Sequence, residues 1–361
     1  MRAAVLTEFG APLTVREVPD PEPRGGEVLV EVLAACVLPY AAEVFSGARE
    51  YPLVPPVIPG TGAVGRIARL GPDATRLRVG DLVWCDPTVR SRDDALTPDI
   101  ALQGWSARGD NGAKLARHLH DGAFAALMRV PTENVHPLPA EAGEDPARWA
   151  ALTVHGVPYG GLLAGGLAAG ETLLVSGATG NFGSSAIAVA FAMGAGRVVA
   201  PGRDKDTLAL LAERFGPRLR PVVLTGDEEA DRTAMTAAAE GPVDLVIDLL
   251  SPSAPSTVTR AAAMTVREFG RVVLMGGVGM LGGADLALPY PWIMRNSITV
   301  RGQWMLPRTA NPGLVRLFAT GAVDLAAERV RAFALDEVNE AIAHAQAHGG
   351  PFDRTILMPG A

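Results

Sequence analysis

Cysteine is almost missing from this chain. Cys36 and Cys85 are the only two in 361 residues, too few for a disulfide framework or a four-thiolate zinc site, and both read as small buried apolar residues. No apolar stretch reaches the length that a bilayer span needs. No N-terminal segment combines a charged start, an apolar run and a small-residue cleavage site. Residues 1–5 read directly as a first strand, so the cytoplasm is the expected compartment. A basic tail or lysine–arginine block is also lacking: 32 basic and 39 acidic residues give a formal charge of -7, which argues against nucleic acid as a partner.

The chain does have ample core material, with 48% hydrophobic and 20% charged residues, the balance of a soluble globular protein. Its length exceeds one average core, and two domains are expected. Up to about residue 139, short strands are cut by glycine and proline, at 28–33, 62–70, 81–85 and 123–130, a pattern that predicts a mostly β domain. The pattern changes near Pro146. Residues 154–163 read as a helix, after which strands at 173–176, 197–200, 222–225, 245–249 and 272–275 alternate with helical segments. That alternation predicts a parallel sheet covered on both faces. A further strand is expected at 297–304 and late helices at 314–320 and 337–347. The expected division is a nucleotide domain over 151–288 and a catalytic domain from 1–150 plus 289–361. Residues 87–120 form a long, charged insertion with little periodicity, expected as a lobe or lid.

The most informative stretch is Ser176-Gly177-Ala178-Thr179-Gly180-Asn181-Phe182-Gly183. It follows the apolar run 172–175 and opens the alanine-rich segment 186–193, giving strand, glycine turn and helix. Gly177, Gly180 and Gly183 keep the G-x-x-G-x-x-G spacing, in which missing side chains let backbone approach a pyrophosphate and let the helix start pack on the strand. The helix N-terminus then presents N–H groups and a positive dipole end to the phosphates. Thr179, Asn181 and Phe182 complete the expected dinucleotide cradle.

Several blocks in order resemble one family over nearly the whole chain. Met1-Arg2-Ala3-Ala4-Val5 leads to Gly26-Glu27-Val28-Leu29-Val30-Glu31-Val32, then to Pro59-Gly60-Thr61-Gly62-Ala63-Val64-Gly65-Arg66-Ile67. Val79-Gly80-Asp81-Leu82-Val83 and Gly122-Ala123-Phe124-Ala125 follow, then Gly170-Glu171-Thr172-Leu173-Leu174-Val175 and Gly270-Arg271-Val272-Val273. Together they resemble the medium-chain dehydrogenase/reductase superfamily, in particular its zinc-independent quinone oxidoreductase-like and ene-reductase-like branch. The resemblance implies an α/β architecture: a Rossmann doubly wound nucleotide domain plus a mostly β, GroES-like catalytic domain. Zinc-dependent relatives carry cysteine and histidine where this chain has Leu38-Pro39, and a histidine–glutamate pair where it has Thr61-Gly62. Leucine cannot ligate zinc, and a catalytic site needs about three protein ligands. Metal-free chemistry is therefore expected. Without a Lewis acid, alcohol oxidation is disfavoured. Reduction of a C=C bond conjugated to a carbonyl remains feasible, because the enolate needs only hydrogen-bond donors and a proton.

An NAD-preferring site places an acid about 20 residues past the glycine motif. Here Gly202 stands at that position, followed by Arg203, Asp204 and Lys205. Arg203 and Lys205 are expected to pair with the 2′-phosphate of NADP(H). Against this, the two are ordinary charges at a helix start, and Asp204 serves NAD. Gly276, Gly277 and Val278 stand where relatives touch the nicotinamide by backbone atoms; a plain turn competes.

Tyr40 stands where zinc-dependent relatives keep a proton-relay hydroxyl, and is the candidate donor to the substrate oxygen; a satisfied cleft-wall tyrosine is the alternative. His155, in the helix that faces the nicotinamide in this family, is the second candidate acid, against a buried helix histidine. Tyr51, Trp105 and Trp304 are candidates for the substrate pocket, with surface packing the alternative for the first two and core packing for Trp304. His118 and His120, and His344 and His348 at helical spacing, lack further ligands and are expected on the surface.

These features predict an NADPH-dependent reductase of an enone, enal or quinone, with the cofactor across the carboxyl edge of the sheet and its nicotinamide in the cleft between domains. Ring closure before protonation, as in some natural-product enzymes of the superfamily, is an extension. The rivals are a metal-free carbonyl reductase or alcohol dehydrogenase, and a nucleotide-binding sensor without turnover. Relatives pair nucleotide domains by their sheet edges, so residues 297–301 are the expected contact of a homodimer.

Overall fold

The computed structural model describes residues 1–360 and separates into two compact units. One comprises Val154–Ala310 and Gly350–Phe352; the other comprises Met1–Thr153, Asn311–Gly349 and the chain from Asp353.

The first of these holds a six-stranded sheet, in the order Leu219–Val223, Arg197–Gly202, Thr172–Ser176, Val243–Asp248, Val266–Leu274 and Thr299–Gly302. All neighbours run parallel. The chain enters at the third strand, winds out to one edge, then returns to start the other half beside its starting strand. The order therefore reverses between Thr172–Ser176 and Val243–Asp248, the position at which open α/β sheets bind ligands at their carboxyl ends. Helices cover both faces, which is why Leu173, Leu174, Val175, Leu245, Val246 and Ile247 are all fully buried and why these strands lack a polar alternation. Each such side chain contributes about 1.5–3 kcal/mol by leaving water.

The unit's boundary differs from expectation at two places. Residues 289–310 stay with the nucleotide sheet instead of returning to the β unit at 289, because Thr299–Gly302 pairs in register with Val266–Leu274. Farther along, Gly350–Phe352 rejoins this unit: Phe352 is fully buried, 5.9 Å from Phe215, with the Arg214 guanidinium 3.7 Å over its ring.

The other unit is built on a mainly antiparallel sheet in the order Val135–Pro137, Leu82–Cys85, Ala63–Leu70, Glu27–Val37, Asp353–Met358 and Arg329–Ala334, with Leu127–Pro131 also paired to Glu27–Val37. The insertion is more ordered than its lack of periodicity implies. It forms the small sheet Thr88–Arg90, Ile100–Leu102 and Ser106–Ala107 and the helix Gly109–His118. Its Trp105 is only 1% exposed, since a large apolar ring stabilises the lobe by packing inward. Both cysteines are buried, and burial pushes each thiol up to about 12. Beside Cys36, Arg354 and Glu328 form an ion pair of 2.8 Å, both fully desolvated.

A buried pair broken on one side leaves an uncompensated charge. Arg354→Met is expected to cost about 3–5 kcal/mol in urea unfolding, and the double change Arg354→Met with Glu328→Leu to recover most of it. Equal stability of the single variant and the parent would show that the pair holds nothing together.

Candidate functional site

The strand Thr172–Ser176 ends in a buried serine, and the chain reverses at Gly177, whose φ is +88°. A side chain in that left-handed conformation is strained. The amide of Gly180 donates to the Gly177 carbonyl at 3.1 Å, closing the turn, and the helix Asn181–Ala192 starts at once. Gly183 is pressed onto the turn: a Cβ there would lie 2.0 Å from the Gly177 oxygen. Gly180, the N-cap, has no side chain to accept from the helix amides. An uncapped helix start with its positive dipole end suits an anionic ligand.

The next strand toward that edge, Arg197–Gly202, meets the turn directly. A Cβ on Gly202 would lie 2.4 Å from Cγ2 of Thr179, so an acidic side chain at this position would displace Thr179. Arg203 and Lys205 are exposed just beyond. Asp204 is engaged elsewhere: it caps the helix Lys205–Phe215 by accepting from the Thr207 amide at 2.6 Å, and that bond holds its carboxyl below the usual range. On the other side of the glycine turn, a Cβ on Gly276 would lie 2.5 Å from Oδ2 of Asp248 and 2.6 Å from the Leu250 oxygen, and the Gly277 amide donates to Leu250 at 2.8 Å. Close backbone approach thus accounts for both glycines, and Val278 follows half-buried.

Asp248 escaped the sequence reasoning. It ends the strand Val243–Asp248, is 2% exposed, and accepts from Oγ1 of Thr259 at 3.0 Å. Burial pushes its carboxyl above the ordinary range, opposed by the neighbouring Ser176 hydroxyl and by the hydrogen bond from Thr259. One signal was available: a single charged residue closing an apolar run at the carboxyl edge of a buried strand.

In the β unit, three residues proposed separately come together. The rings of Tyr40 and Trp105 meet edge-on at 5.7 Å and 72°, and Tyr51 lies close enough to act on the Tyr40 phenol. Phe45 packs on Trp105 at 5.5 Å, and the Arg49 guanidinium sits 4.2 Å over the Tyr40 ring while pairing with Glu43 at 2.8 Å. Burial, then Tyr51, push the Tyr40 hydroxyl above its ordinary range. A phenol so placed stays protonated and can donate a hydrogen bond. Phe45 and Arg49 were not anticipated, because nothing in their local sequence marks them.

His155 lies in the helix Leu152–Ala164 of the nucleotide unit, fully buried. Trp304, for which core packing was the expected alternative, is instead 37% exposed beyond the edge strand Thr299–Gly302. Among the described residues that strand has only one neighbour, and all four of its residues are exposed.

Residues 24–140 match the alcohol dehydrogenase GroES-like domain family and residues 182–320 the zinc-binding dehydrogenase family. An alcohol dehydrogenase of Rhizobium meliloti is 33% identical over 305 residues, covering 84% of this chain and 83% of the relative. An acryloyl-coenzyme A reductase of Metallosphaera sedula is 28% identical over 324 residues, covering 90% of each. Among solved structures, an alcohol dehydrogenase of Thermus sp. ATN1 superposes with a TM-score of 0.81 at 22% identity over 99% of both chains, a likeness of fold.

The second family's name implies zinc, and the residues present do not fit it. Leu38 and Thr61 are buried, and Gly62 is enclosed, its missing Cβ lying 3.0 Å from Oγ1 of Thr153 and 3.1 Å from the Cys85 carbonyl. Zinc takes thiolate, imidazole or carboxylate. Neither buried thiol is ionised near neutrality, and among the described residues no three His, Cys, Asp or Glu side chains converge.

The glycine turn makes a sharp test of the dinucleotide cradle. Gly183→Ala is expected to push the helix start off the turn and weaken nicotinamide dinucleotide binding by at least about tenfold in fluorescence titration, because the cradle needs the close approach. Gly180→Ala, whose Cβ would meet only the Gly177 oxygen at 3.4 Å, is expected to cost less. Equal affinities for both variants and the parent would remove the turn from the site.

Proposed function

The chain belongs to the medium-chain dehydrogenase/reductase superfamily, oxidoreductases that use a nicotinamide dinucleotide, and from that premise we propose an NADPH-dependent, zinc-independent reductase of activated C=C bonds. The observation that carries this is the donor set: aliphatic and backbone groups at Leu38, Thr61 and Gly62, and a phenol kept protonated at Tyr40. A site with a hydrogen-bond donor and no Lewis acid suits an enolate better than an alkoxide. The name of the Metallosphaera relative, an acryloyl-coenzyme A reductase, points to the same bond type.

The bound dinucleotide supplies a hydride to the β-carbon of an enone, enal or quinone. The glycine turn, with Thr179, Asn181 and Phe182, holds the pyrophosphate over the helix start. Arg203 grips the 2′-phosphate by its planar fork, with Lys205 as a second charge. The exclusion of an acid at Gly202 and the capping role of Asp204 support NADPH over NADH. Gly276, Gly277 and Val278 present backbone to the nicotinamide. Tyr40 donates to the substrate oxygen and stabilises the enolate, with Tyr51 and Trp105 shaping the space around it. His155 is the alternative proton source, and its complete burial favours Tyr40.

The second reading, a carbonyl reductase or alcohol dehydrogenase, is favoured by the name of the Rhizobium relative. Matched enones and saturated ketones, followed at the NADPH absorbance, separate the two: turnover of the enones alone is expected, unchanged by a zinc chelator, and chelator-sensitive ketone turnover would overturn the proposal. Mass spectrometry of the products tells simple reduction from cyclisation, and tight NADPH binding with no turnover on any acceptor would support the sensor. In the same assay Arg203→Ala is expected to raise KM for NADPH about tenfold and leave NADH unchanged. Tyr40→Phe is expected to lower kcat about a hundredfold with little change in KM.

We also propose a homodimer through the edge strand Thr299–Gly302. The strand exposes Val300, at 37%, and the helix Tyr290–Arg295 before it exposes Tyr290 and Met294, at 74% and 56%; an open edge of this kind templates a second strand. Light scattering is expected to give about twice the 37.5 kDa of one chain and Val300→Pro to give the monomer. A parent that runs as a monomer at all concentrations would dismiss the interface.

A further inference from the structure

The β unit also holds a cleft of about 510 Å³, within the range of roughly 300–1,000 Å³ in which small-molecule sites fall. It is walled by the strand Thr14–Glu17 and the chain that follows it, by residues 56–58, by the end of the helix Gly109–His118 with residues 119–121, and by the strand Leu127–Pro131. Val18, Pro19, Pro56, Leu127 and Met128 give it apolar walls. None of Tyr40, Phe45, Arg49, Tyr51 or Trp105 lines it.

Internal hydrogen bonds fix the floor. Gln103, 2% exposed, donates through Nε2 to the carbonyl oxygens of Asp121 and Arg129, at 2.7 Å each. Asp121 accepts from the Ile58 amide at 3.1 Å and so ties residues 56–58 to the end of the insertion. A preformed site of this kind leaves little ordering cost to binding.

The acids at the cleft are already matched. Asp20 accepts from the N-terminal ammonium at 2.7 Å. Oδ1 of Asp121 lies 3.1 Å from Nδ1 of His120, whose Nε2 lies 3.0 Å from the Val54 carbonyl oxygen. A carboxylate and a carbonyl only accept, so the ring makes both bonds only as an imidazolium. The bond to Asp121 pushes His120 above the ordinary imidazole range, against burial. His118 and Arg129 flank Glu27, at 3.3 and 3.6 Å. Arg16 and Arg117 are left over: both line the cleft, both are exposed, and neither has a partner among the described residues. The cleft is therefore cationic on a chain whose formal charge is -7, and a local field of that sign concentrates anions.

We propose that this cleft binds an organic carboxylate with an apolar body, its charge met by Arg16 and Arg117 and its body laid along Val18, Pro19 and Leu127. A guanidinium fork matches a planar carboxylate. The apolar walls add burial that a bare anion cannot use.

Octanoate, titrated calorimetrically into the full chain, is the probe. Octanol lacks its charge, acetate lacks its body and octylamine reverses its charge; each is expected to bind at least tenfold more weakly. Arg16→Glu and Arg117→Glu alter exposed side chains and are each expected to weaken octanoate binding at least tenfold. Arg203→Ala, in the nucleotide unit, is the control and is expected to leave it unchanged. Acetate or octylamine binding as tightly as octanoate, unaltered binding in either glutamate variant, or loss of binding in the control would overturn the site. NADPH turnover with an enone is expected to stay at the parent level in both glutamate variants, so failure of this site and failure of the proposed reductase chemistry are separate outcomes.

Discussion

Everything on the nucleotide side of this protein depends on one contact, the approach of the helix start to the turn that precedes it. At Gly183 the backbone comes so near the Gly177 carbonyl that a single methyl group would lie 2.0 Å from oxygen. That contact aims the helix axis at the carboxyl end of the strand and sets the amides of the first turn where an anion can meet them. The neighbouring strands obey the same demand. Gly202 makes room for Thr179, and Gly276 makes room for Asp248 and Leu250, so backbone rather than side chains forms much of the sheet's upper rim. A rim of backbone favours a large polyanionic ligand over a small one that needs side-chain walls.

The same crowding bears on the proposed preference for NADPH before any charge is considered. A ribose-binding acid at Gly202 would displace the Thr179 side chain, and the nearby acid Asp204 accepts the Thr207 amide to start its own helix. Two cations remain exposed at this edge, Arg203 and Lys205. In the proposed reading, these two charges meet the further phosphate of NADPH.

The parallel sheet was legible because strands buried on both faces are apolar throughout, as in Leu173 to Val175, and because three glycines at fixed spacing mark the turn. The last strand was assigned to the wrong unit for the opposite reason. Thr299–Gly302 lies at an edge with every residue exposed, so it carries no hydrophobic pattern to show which sheet it joins. Gly350–Phe352 was invisible because three residues have no period at all; only the packing of Phe352 with Phe215 and Arg214 reveals their allegiance. The insertion hid its small sheet in strands of two or three residues. Tyr40, Tyr51 and Trp105 could be singled out by residue type and position. That they form one cluster, with Arg49 stacked above, is a tertiary fact that no local signal records.

The proposed chemistry turns on what replaces a cation. A metal stabilises negative charge on oxygen without a proton, whereas a phenol does so by a hydrogen bond and is useful only while it keeps its proton. The Tyr40 environment secures that condition: burial, then the neighbouring Tyr51, raise the phenol and outweigh Arg49 and Trp105, which lower it, and Arg49 is itself paired with Glu43. A donor of this kind matches an enolate, whose charge is shared between oxygen and carbon and needs less stabilisation than a localised alkoxide. In the proposed reductase, the non-ligating groups at Leu38, Thr61 and Gly62 and the protonated tyrosine answer the same need from two sides.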